Sequence, residues 1–283
     1  MTQFIERIIS KAEEIHVPAP EDTIRDGLLI CGKCGTPRQT RLPFALSGRT
    51  VVPCLCRCRE EAMVQEDAAR RCREEAVRLD RLRSVGIQDQ MFKGSRFETA
   101  DGQNGAIMAK LARYADRFDE ALAGNIGLFL YGGPGSGKTF AAACIANRVL
   151  DQGTEALMTS FPRVINGMGG FDADRNAYIK DLVRYPLLIL DDFGVERDTE
   201  YVSELIYQVI DARYREGTPL ILTSNLHWDE IEGRAQDLKR ERIYDRVREM
   251  CQPINFGSLD RRRDIADLKK KAARAILNGE DEL

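Results

Sequence analysis

The stretch GLFLYGGPGSGKT at residues 127–139 decides the fold of this 283-residue chain. Its first five residues predict a strand, and the glycines after it keep side chains away from the backbone. Successive N–H groups can therefore point at phosphate oxygens, and the next helix adds its positive N-terminal end. Lys138 offers a charge to the β and γ phosphates of ATP, and Thr139 a hydroxyl ligand for Mg²⁺. The predicted ATP-binding residues are Gly132, Gly133, Pro134, Gly135, Ser136, Gly137, Lys138 and Thr139.

Strand-like apolar runs alternate with helical stretches over the rest of the carboxyl-terminal two thirds of the chain. This alternation predicts an α/β fold in which helices flank a parallel sheet that carries the P-loop. The predicted strands are residues 127–131, 156–160, 187–190, 220–223 and 253–256.

Polar side chains follow two of these strands, at the sheet edge where ligands gather in parallel sheets. Asp191 is predicted to hold Mg²⁺ through water, and Asp192 to orient or deprotonate the water that attacks ATP. The alternative for Asp192 is a carboxylate that only anchors other groups of the site. Asn225, after the next strand, is predicted to reach the γ-phosphate or the attacking water.

Arginines are dense in two later segments, residues 242–248 on a predicted charged helix and residues 261–263 after the fifth predicted strand. An arginine supplied by a neighbouring subunit stabilises charge in the transition state of phosphoryl transfer and couples hydrolysis to assembly. We therefore expect one of these arginines to act on a neighbouring subunit's ATP. A solvated helix face is the alternative for most of them.

Five of the eight cysteines crowd into residues 31–58. A Cys-x-x-Cys pair and a later Cys-x-Cys-x-Cys group offer thiolates on both sides of a loop, as a tetrahedral Zn²⁺ site requires. Residues 31–59 contain six basic side chains and no acidic one, so a small basic module with a structural zinc ion is predicted. Free cysteines and an iron–sulfur cluster are the alternatives. Five thiols compete for four ligand positions.

Composition and charge limit the remaining options. The formal net charge of −3 means that any nucleic-acid contact must use local basic surface. No apolar run reaches the roughly 20 residues that span a bilayer, and the first residues lack a signal-peptide pattern, so we expect a cytoplasmic protein without membrane contact. The expected domains are residues 1–59 with an amphipathic helix and the zinc module, 60–86 as a helical linker, and 87–283 as the ATPase.

The order of motifs from about residue 86 to 275 resembles the AAA+ ATPases of the DnaC/DnaI type, the loaders of the replicative helicase, and the related IstB-type transposition helpers. The segments that carry this resemblance are residues 132–139, 190–194, 211–214, 223–226, 244–247 and 257–261.

The resemblance implies roles for individual residues. Asn225 matches the sensor 1 position, Arg246 the arginine finger, and Arg261 the sensor 2 arginine near the nucleotide. Loaders with a similar amino-terminal region pair Cys-x-x-Cys with a later Cys-x-Cys, which leaves Cys54 as a spare or alternate ligand. The zinc ligands implied in this way are Cys31, Cys34, Cys56 and Cys58. Asp192 stands where a glutamate is usual and is one methylene shorter, so slow hydrolysis is expected.

The resemblance also implies a function. It indicates a slow ATPase, modulated by its partner or by DNA, that binds a DnaB-type replicative helicase through its amino-terminal module. Such a protein binds single-stranded DNA and self-associates as a homo-oligomer with ATP between subunits. One alternative is an IstB-type transposition helper ATPase. Another is a nucleotide-gated adaptor, in which ATP stabilises an assembly and is hardly hydrolysed.

Overall fold

The computed structural model of this chain describes residues 18–46, 49–100, 102, 104–168, 174–194, 199–233, 238–258, 260, 269–271, 273–274 and 277. The predicted helix at residues 1–16 and the predicted nucleotide contact Arg261 lie outside the described residues. The chain divides into two compact units, Met1–Val77 and Arg78–Leu283, so the division falls inside the predicted linker.

The first unit contains two small antiparallel hairpins. Strands β1 (Thr23–Arg25) and β2 (Leu28–Ile30) form one hairpin, and β3 (Gln39–Leu46) and β4 (Arg49–Pro53) form the other. Asp26 and Gly27 connect β1 to β2, and both have positive φ angles, of 51° and 70°. An Asp-Gly pair in this conformation matches the right-handed twist of the flanking strands.

Helix α1 (Arg57–Gly86) follows the second hairpin and crosses the boundary between the two units. It begins three residues before the predicted linker, so its first turn includes Cys58. Its last residue packs closely within the second unit, because a Cβ on Gly86 would lie 2.5 Å from the carbonyl oxygen of Ala156. Arg83 joins its last turn to Asp151 at 2.7 Å.

The second unit is built on a five-stranded parallel sheet in the order β6-β7-β8-β5-β9. Its strands are β5 (Gly127–Tyr131), β6 (Ala156–Ser160), β7 (Leu187–Phe193), β8 (Leu220–Ser224) and β9 (Cys251–Asn255). The predicted α/β fold is confirmed. Strand β9 begins two residues earlier and ends one residue earlier than predicted, and it contains Pro253. An edge strand tolerates a proline because one row of its N–H groups needs no partner.

Helices cover both faces of this sheet, and alternate strand residues point into two apolar cores. One core includes Leu128, Leu130 and Ile189, and the other includes Phe129 and Leu188. The helices of the first core are α2 (Gly105–Asp116), α3 (Phe118–Ala123) and α4 (Lys138–Asp151); those of the second are α5 (Phe161–Met168), α6 (Arg175–Val183), α7 (Glu200–Glu216), α8 (Trp228–Glu232) and α9 (Leu238–Met250). Among the described residues, no helix is both long and apolar enough to cross a membrane.

Candidate functional site

The predicted P-loop lies between the end of β5 and the start of α4, at the carboxyl edge of the sheet. Gly137 caps α4 with a φ of 99°, a conformation that L side chains rarely adopt. Gly132 has no space for a side chain, because a Cβ there would lie 2.5 Å from the carbonyl oxygen of Gly257. That carbonyl accepts the N–H of Gly133 at 2.7 Å, which ties the loop to the segment after β9.

Lys138 lies at the first position of α4, and its side chain turns back along the loop. Its ammonium group donates to the carbonyl oxygens of Gly132 and Gly133 at 3.0 and 2.9 Å. It also donates to Oδ1 of Asn225 at 3.0 Å, which brings together two predicted site residues from separate strands. Lys138 is buried, so its charge acts in surroundings that screen it little.

Asp191 lies where the ends of β7 and β8 meet the first turn of α4. The hydroxyls of Thr139 and Thr223 both donate to its Oδ1, at 2.9 and 2.5 Å. Burial raises the pKa of Asp191, and the hydrogen bond from Thr223 lowers it. The Thr139 hydroxyl and the Asp191 carboxylate are oxygen ligands of the kind Mg²⁺ takes, and they lie side by side.

Asp192 leaves the regular strand. Its φ of 61° is rare for a residue other than glycine, and the pairing of β7 with β8 shifts register between Leu190 and Phe193. Its backbone N–H donates to the Thr223 hydroxyl at 3.1 Å, and its side chain is exposed. Bulges of this kind redirect a side chain beside an active site.

A polar cavity of about 170 Å³ opens beside the two aspartates. It is large enough to hold water next to both carboxylates. Its other polar lining residues are Asp89, Thr159, Ser160 and Arg163.

Arg246 is not brought together with these residues. It lies on α9, with Nε 3.4 Å from Oδ1 of Asp211 and its guanidinium 4.1 Å from the centre of the Tyr214 ring. Helix α9 ends at Met250, directly before β9 begins. Parallel strands begin at the edge opposite their carboxyl ends, and a five-residue strand is about 17 Å long. Arg246 therefore lies past the middle of a helix that runs toward the edge of the sheet opposite the P-loop.

Comparison with known proteins identifies the family. A model of the family described as IstB-like ATP binding protein matches residues 57–265. The chain belongs to this family. It is similar to the replicative helicase loader DnaC of Escherichia coli K12, with 31% identity over 57% of this chain and 64% of DnaC. It is also similar to the replicative helicase loader DnaI of Bacillus subtilis 168, with 28% identity over 64% of this chain and 62% of DnaI.

A solved structure gives the same relationship. A crystal structure of DnaI superposes with a TM-score of 0.53 and 25% identity, over 64% of this chain and 99% of that chain. The predicted resemblance to DnaC, DnaI and the IstB-type proteins is confirmed. The chain spans under two thirds of the length of the curated loaders that it matches.

Sequence reasoning missed three contacts of the site. Thr223 joins both aspartates, Asn104 donates to the carbonyl of Ser136 at 3.2 Å, and Gly257 accepts from the P-loop. Thr223 had a signal, since a hydroxyl near the end of an apolar strand lies at the same edge as the aspartates. Asn104 had none, because its contact spans 32 residues of sequence.

The four predicted zinc ligands converge in the first unit. The sulfur atoms of Cys31, Cys34, Cys56 and Cys58 all lie within 4.8 Å of one another. Sulfurs at 2.3 Å from a tetrahedral Zn²⁺ would be about 3.8 Å apart, so the four thiols fit this ion. Cys54 lies outside the group, and its thiol is 3.5 Å from the carbonyl oxygen of Pro37.

Asp22 fixes the first cysteine pair. Its carboxylate accepts the N–H groups of Ala19 and Gly32 at 2.8 and 3.0 Å and pairs with the Arg38 guanidinium. Gly32 lies between the first two cysteines, and a Cβ there would be 2.1 Å from the carbonyl oxygen of Glu21. The turn that carries Cys31 and Cys34 is therefore held from one side by a buried ion pair.

Proposed function

We propose that this protein is an ATP-dependent loader that places a DnaB-type replicative helicase on single-stranded DNA. The observation that carries the proposal is its similarity to two proteins named replicative helicase loaders, within a family of ATP-binding proteins. The convergence of Lys138, Thr139, Asp191 and Asn225 at one sheet edge supports a working nucleotide site in this chain.

The nucleotide step assigns a task to each of these side chains. Backbone N–H groups of the P-loop and the Lys138 ammonium would bind the phosphates, and Thr139 and Asp191 would hold Mg²⁺. When bound, Mg²⁺ neutralises charge that develops on the β and γ phosphates. Asn225 would orient the γ-phosphate or the water. The hydrogen bond between Lys138 and Asn225 supports this, because it places both at one point.

Asp192 would orient the attacking water from the polar cavity beside it. Its side chain is one methylene shorter than glutamate, so a water molecule must come closer to the backbone to reach it. We infer that hydrolysis is slow and that the helicase or DNA modulates it. Such a rate suits a loader, which needs to hold its partner until the nucleotide changes.

ATP would lie between subunits of a homo-oligomer. The contacts of Arg246 support this, because among the residues that the structure describes they are with Asp211 and Tyr214 and not with the P-loop of its own chain. An arginine supplied in trans makes hydrolysis depend on assembly. Arg261 would contact the nucleotide as the sensor 2 arginine.

The cysteine module would grip the helicase. The fit of its four thiols to a tetrahedral ion supports a structural Zn²⁺, since four thiolates leave no open position for a substrate. Single-stranded DNA would bind to the ATPase unit through its phosphates. Binding should then weaken steeply with salt and show little base preference.

Co-purification with the DnaB-type helicase of the source organism tests the proposal. The full chain should form a complex that depends on nucleotide, and the chain lacking residues 1–60 should not. The Lys138→Ala variant should bind ATP at least about 100-fold more weakly, because it removes the charge beside the phosphates. Absence of a complex with ATP, with ADP and without nucleotide would overturn the loader and favour a transposition helper. Helicase binding with no measurable turnover would favour the adaptor.

A further inference from the structure

We propose that Tyr214 and Asp211 are positioning residues that orient Arg246 toward the nucleotide of a neighbouring subunit. The inference rests on the proposed binding of ATP between subunits and adds the groups that prepare the arginine. Asp211 and Tyr214 lie on α7 and Arg246 on α9, so the packing of these two helices creates the cluster.

The contacts engage specific parts of the guanidinium. Its Nε lies 3.4 Å from Asp211, and one face covers the Tyr214 ring at 4.1 Å. Within the described part of the chain, its two terminal nitrogens make no hydrogen bond or ion pair. The side chain of Arg246 is one third exposed. The terminal nitrogens, which could donate to a phosphate, are thus left without an acceptor within the described residues while the rest of the group is held.

A nearby arginine on the same helix provides a contrast. The terminal nitrogens of Arg248 pair with the carboxylates of Glu241 and Asp245 and with the carbonyl of Ile231. Those bonds lie within the chain and use the atoms that would otherwise reach a ligand. Arg248 is therefore a structural arginine, whereas the geometry of Arg246 leaves its donors for another molecule.

The positioning groups are themselves fixed. Asp211 is buried, and its second oxygen forms an ion pair with Nε of Arg215 at 2.8 Å. The Tyr214 ring packs against the apolar core, and its hydroxyl donates to Glu249 at 2.8 Å. A long arginine side chain that is already oriented does not have to lose rotamer entropy in the transition state. Tyr214 and Asp211 therefore lower the barrier to ATP hydrolysis through Arg246, without touching the substrate themselves.

The test compares steady-state ATP hydrolysis of full-length variants with helicase and single-stranded DNA present. Arg246→Ala should lower kcat by about 100-fold or more. Tyr214→Leu should lower kcat about tenfold with little change in KM, since it removes the stacking surface. Tyr214→Phe keeps the ring and should stay within about twofold. Asp211→Asn should fall between the two tyrosine variants. Arg242→Ala, an exposed arginine on the same helix, is the control and should match the unaltered protein.

A mixing experiment separates positioning from damage to the variant's own site. Lys138→Ala subunits have a defective P-loop but an intact Arg246. Mixed in equal amounts with Tyr214→Leu subunits, they should raise turnover per intact P-loop about fivefold, because half of those sites gain an unaltered neighbour. Mixing should rescue Arg246→Ala in the same way.

The positioning role of Tyr214 and Asp211 can fail without the trans arrangement or the loader function failing. If Arg246→Ala is impaired and rescued while Tyr214→Leu is unimpaired or not rescued, the positioning role is overturned and the trans arrangement stands. If Arg246→Ala hydrolyses ATP normally, or if the unaltered protein shows no turnover at all, the trans arrangement fails and the inference fails with it. Helicase binding, read by co-purification in the same preparations, reports on the loader function separately.

Discussion

Different physical means stabilise the cysteine module, residues 18–58, and the second unit, Arg78–Leu283, which is called the ATPase unit after its proposed activity. Among the described residues before Val77, the apolar side chains that are fully buried are Cys31 and Cys56, which are two of the four clustered thiols. The ATPase unit instead buries both faces of its sheet under helices. A segment as small as the module cannot bury enough apolar surface to offset its loss of conformational entropy. Its fold should therefore depend on a metal ion, and that of the ATPase unit on its core.

Metal removal gives the largest expected effect. A structural Zn²⁺ contributes about 10–16 kcal/mol to folding of a small zinc module at neutral pH. Chelation should therefore unfold the module and leave the ATPase unit folded. Zinc content, limited proteolysis within residues 18–56 and nucleotide binding measured on one sample check this. Full resistance of the module to a strong chelator would contradict it, as would unfolding of both units together.

Substitution of Arg213 should give the next largest effect, a loss of stability in the ATPase unit alone. Arg213 is fully buried, and its terminal nitrogens donate to the carbonyls of four residues that precede β7 and β8. These acceptors are Val183, Tyr185, Pro186 and Pro219. Burial lowers its pKa to about 10, so it remains charged at neutral pH. Arg213→Met leaves buried carbonyls without donors and should destabilise the unit by about 3 kcal/mol.

Denaturant unfolding of the ATPase unit measures this effect. Arg215→Met is the matched control, because Arg215 follows on the same helix but its side chain is 75% exposed. Removal of the Arg215 side chain leaves the buried Asp211 carboxylate paired with Arg246, so the expected loss is only about 1 kcal/mol. Equal destabilisation by the two variants would show that Arg213 has no special role. Zinc content should be the same in both.

The sequence predicted the ATPase unit in more detail than the module. The bounds of β5 and β6 agree with the prediction because apolar runs and turn residues mark them locally. The sheet order, by contrast, depends on which strands meet in space. The contacts of Arg246 with Asp211 and Tyr214 depend on the packing of α7 against α9, and no local pattern encodes that packing.

The module was predicted from its thiols and its basic charge, and its hairpins were missed. The Asp26-Gly27 pair is a strong local signal for the turn of the first hairpin. The role of Asp22 had no such signal, because its partners Gly32 and Arg38 lie ten and sixteen residues away. A ligand pattern thus predicts which thiols come together, but not the polar contacts that hold the turn.

Substitutions of Thr223 test whether the ATPase unit can lose one polar contact of its site and keep its packing. Thr223→Val keeps the shape of the side chain but removes the donor to Asp191 and the acceptor for the N–H of Asp192. We expect a loss of about tenfold in kcat, equivalent to about 1.4 kcal/mol. Thr223→Ser restores the hydroxyl and should recover most of the rate. A serine variant as slow as the valine variant would assign the loss to packing.

Substitution of Cys54 should give the smallest effect, and it tests which thiols form the proposed zinc site. The Cys54 thiol lies against the Pro37 carbonyl, outside the group of four sulfurs. Cys54→Ser should therefore retain one zinc ion per chain and the stability of the unaltered module. Cys58→Ser removes a sulfur that lies 3.5–3.6 Å from two others and should lose the ion. Loss of zinc from Cys54→Ser would make Cys54 a ligand, and the module would then rely on a different set of thiols.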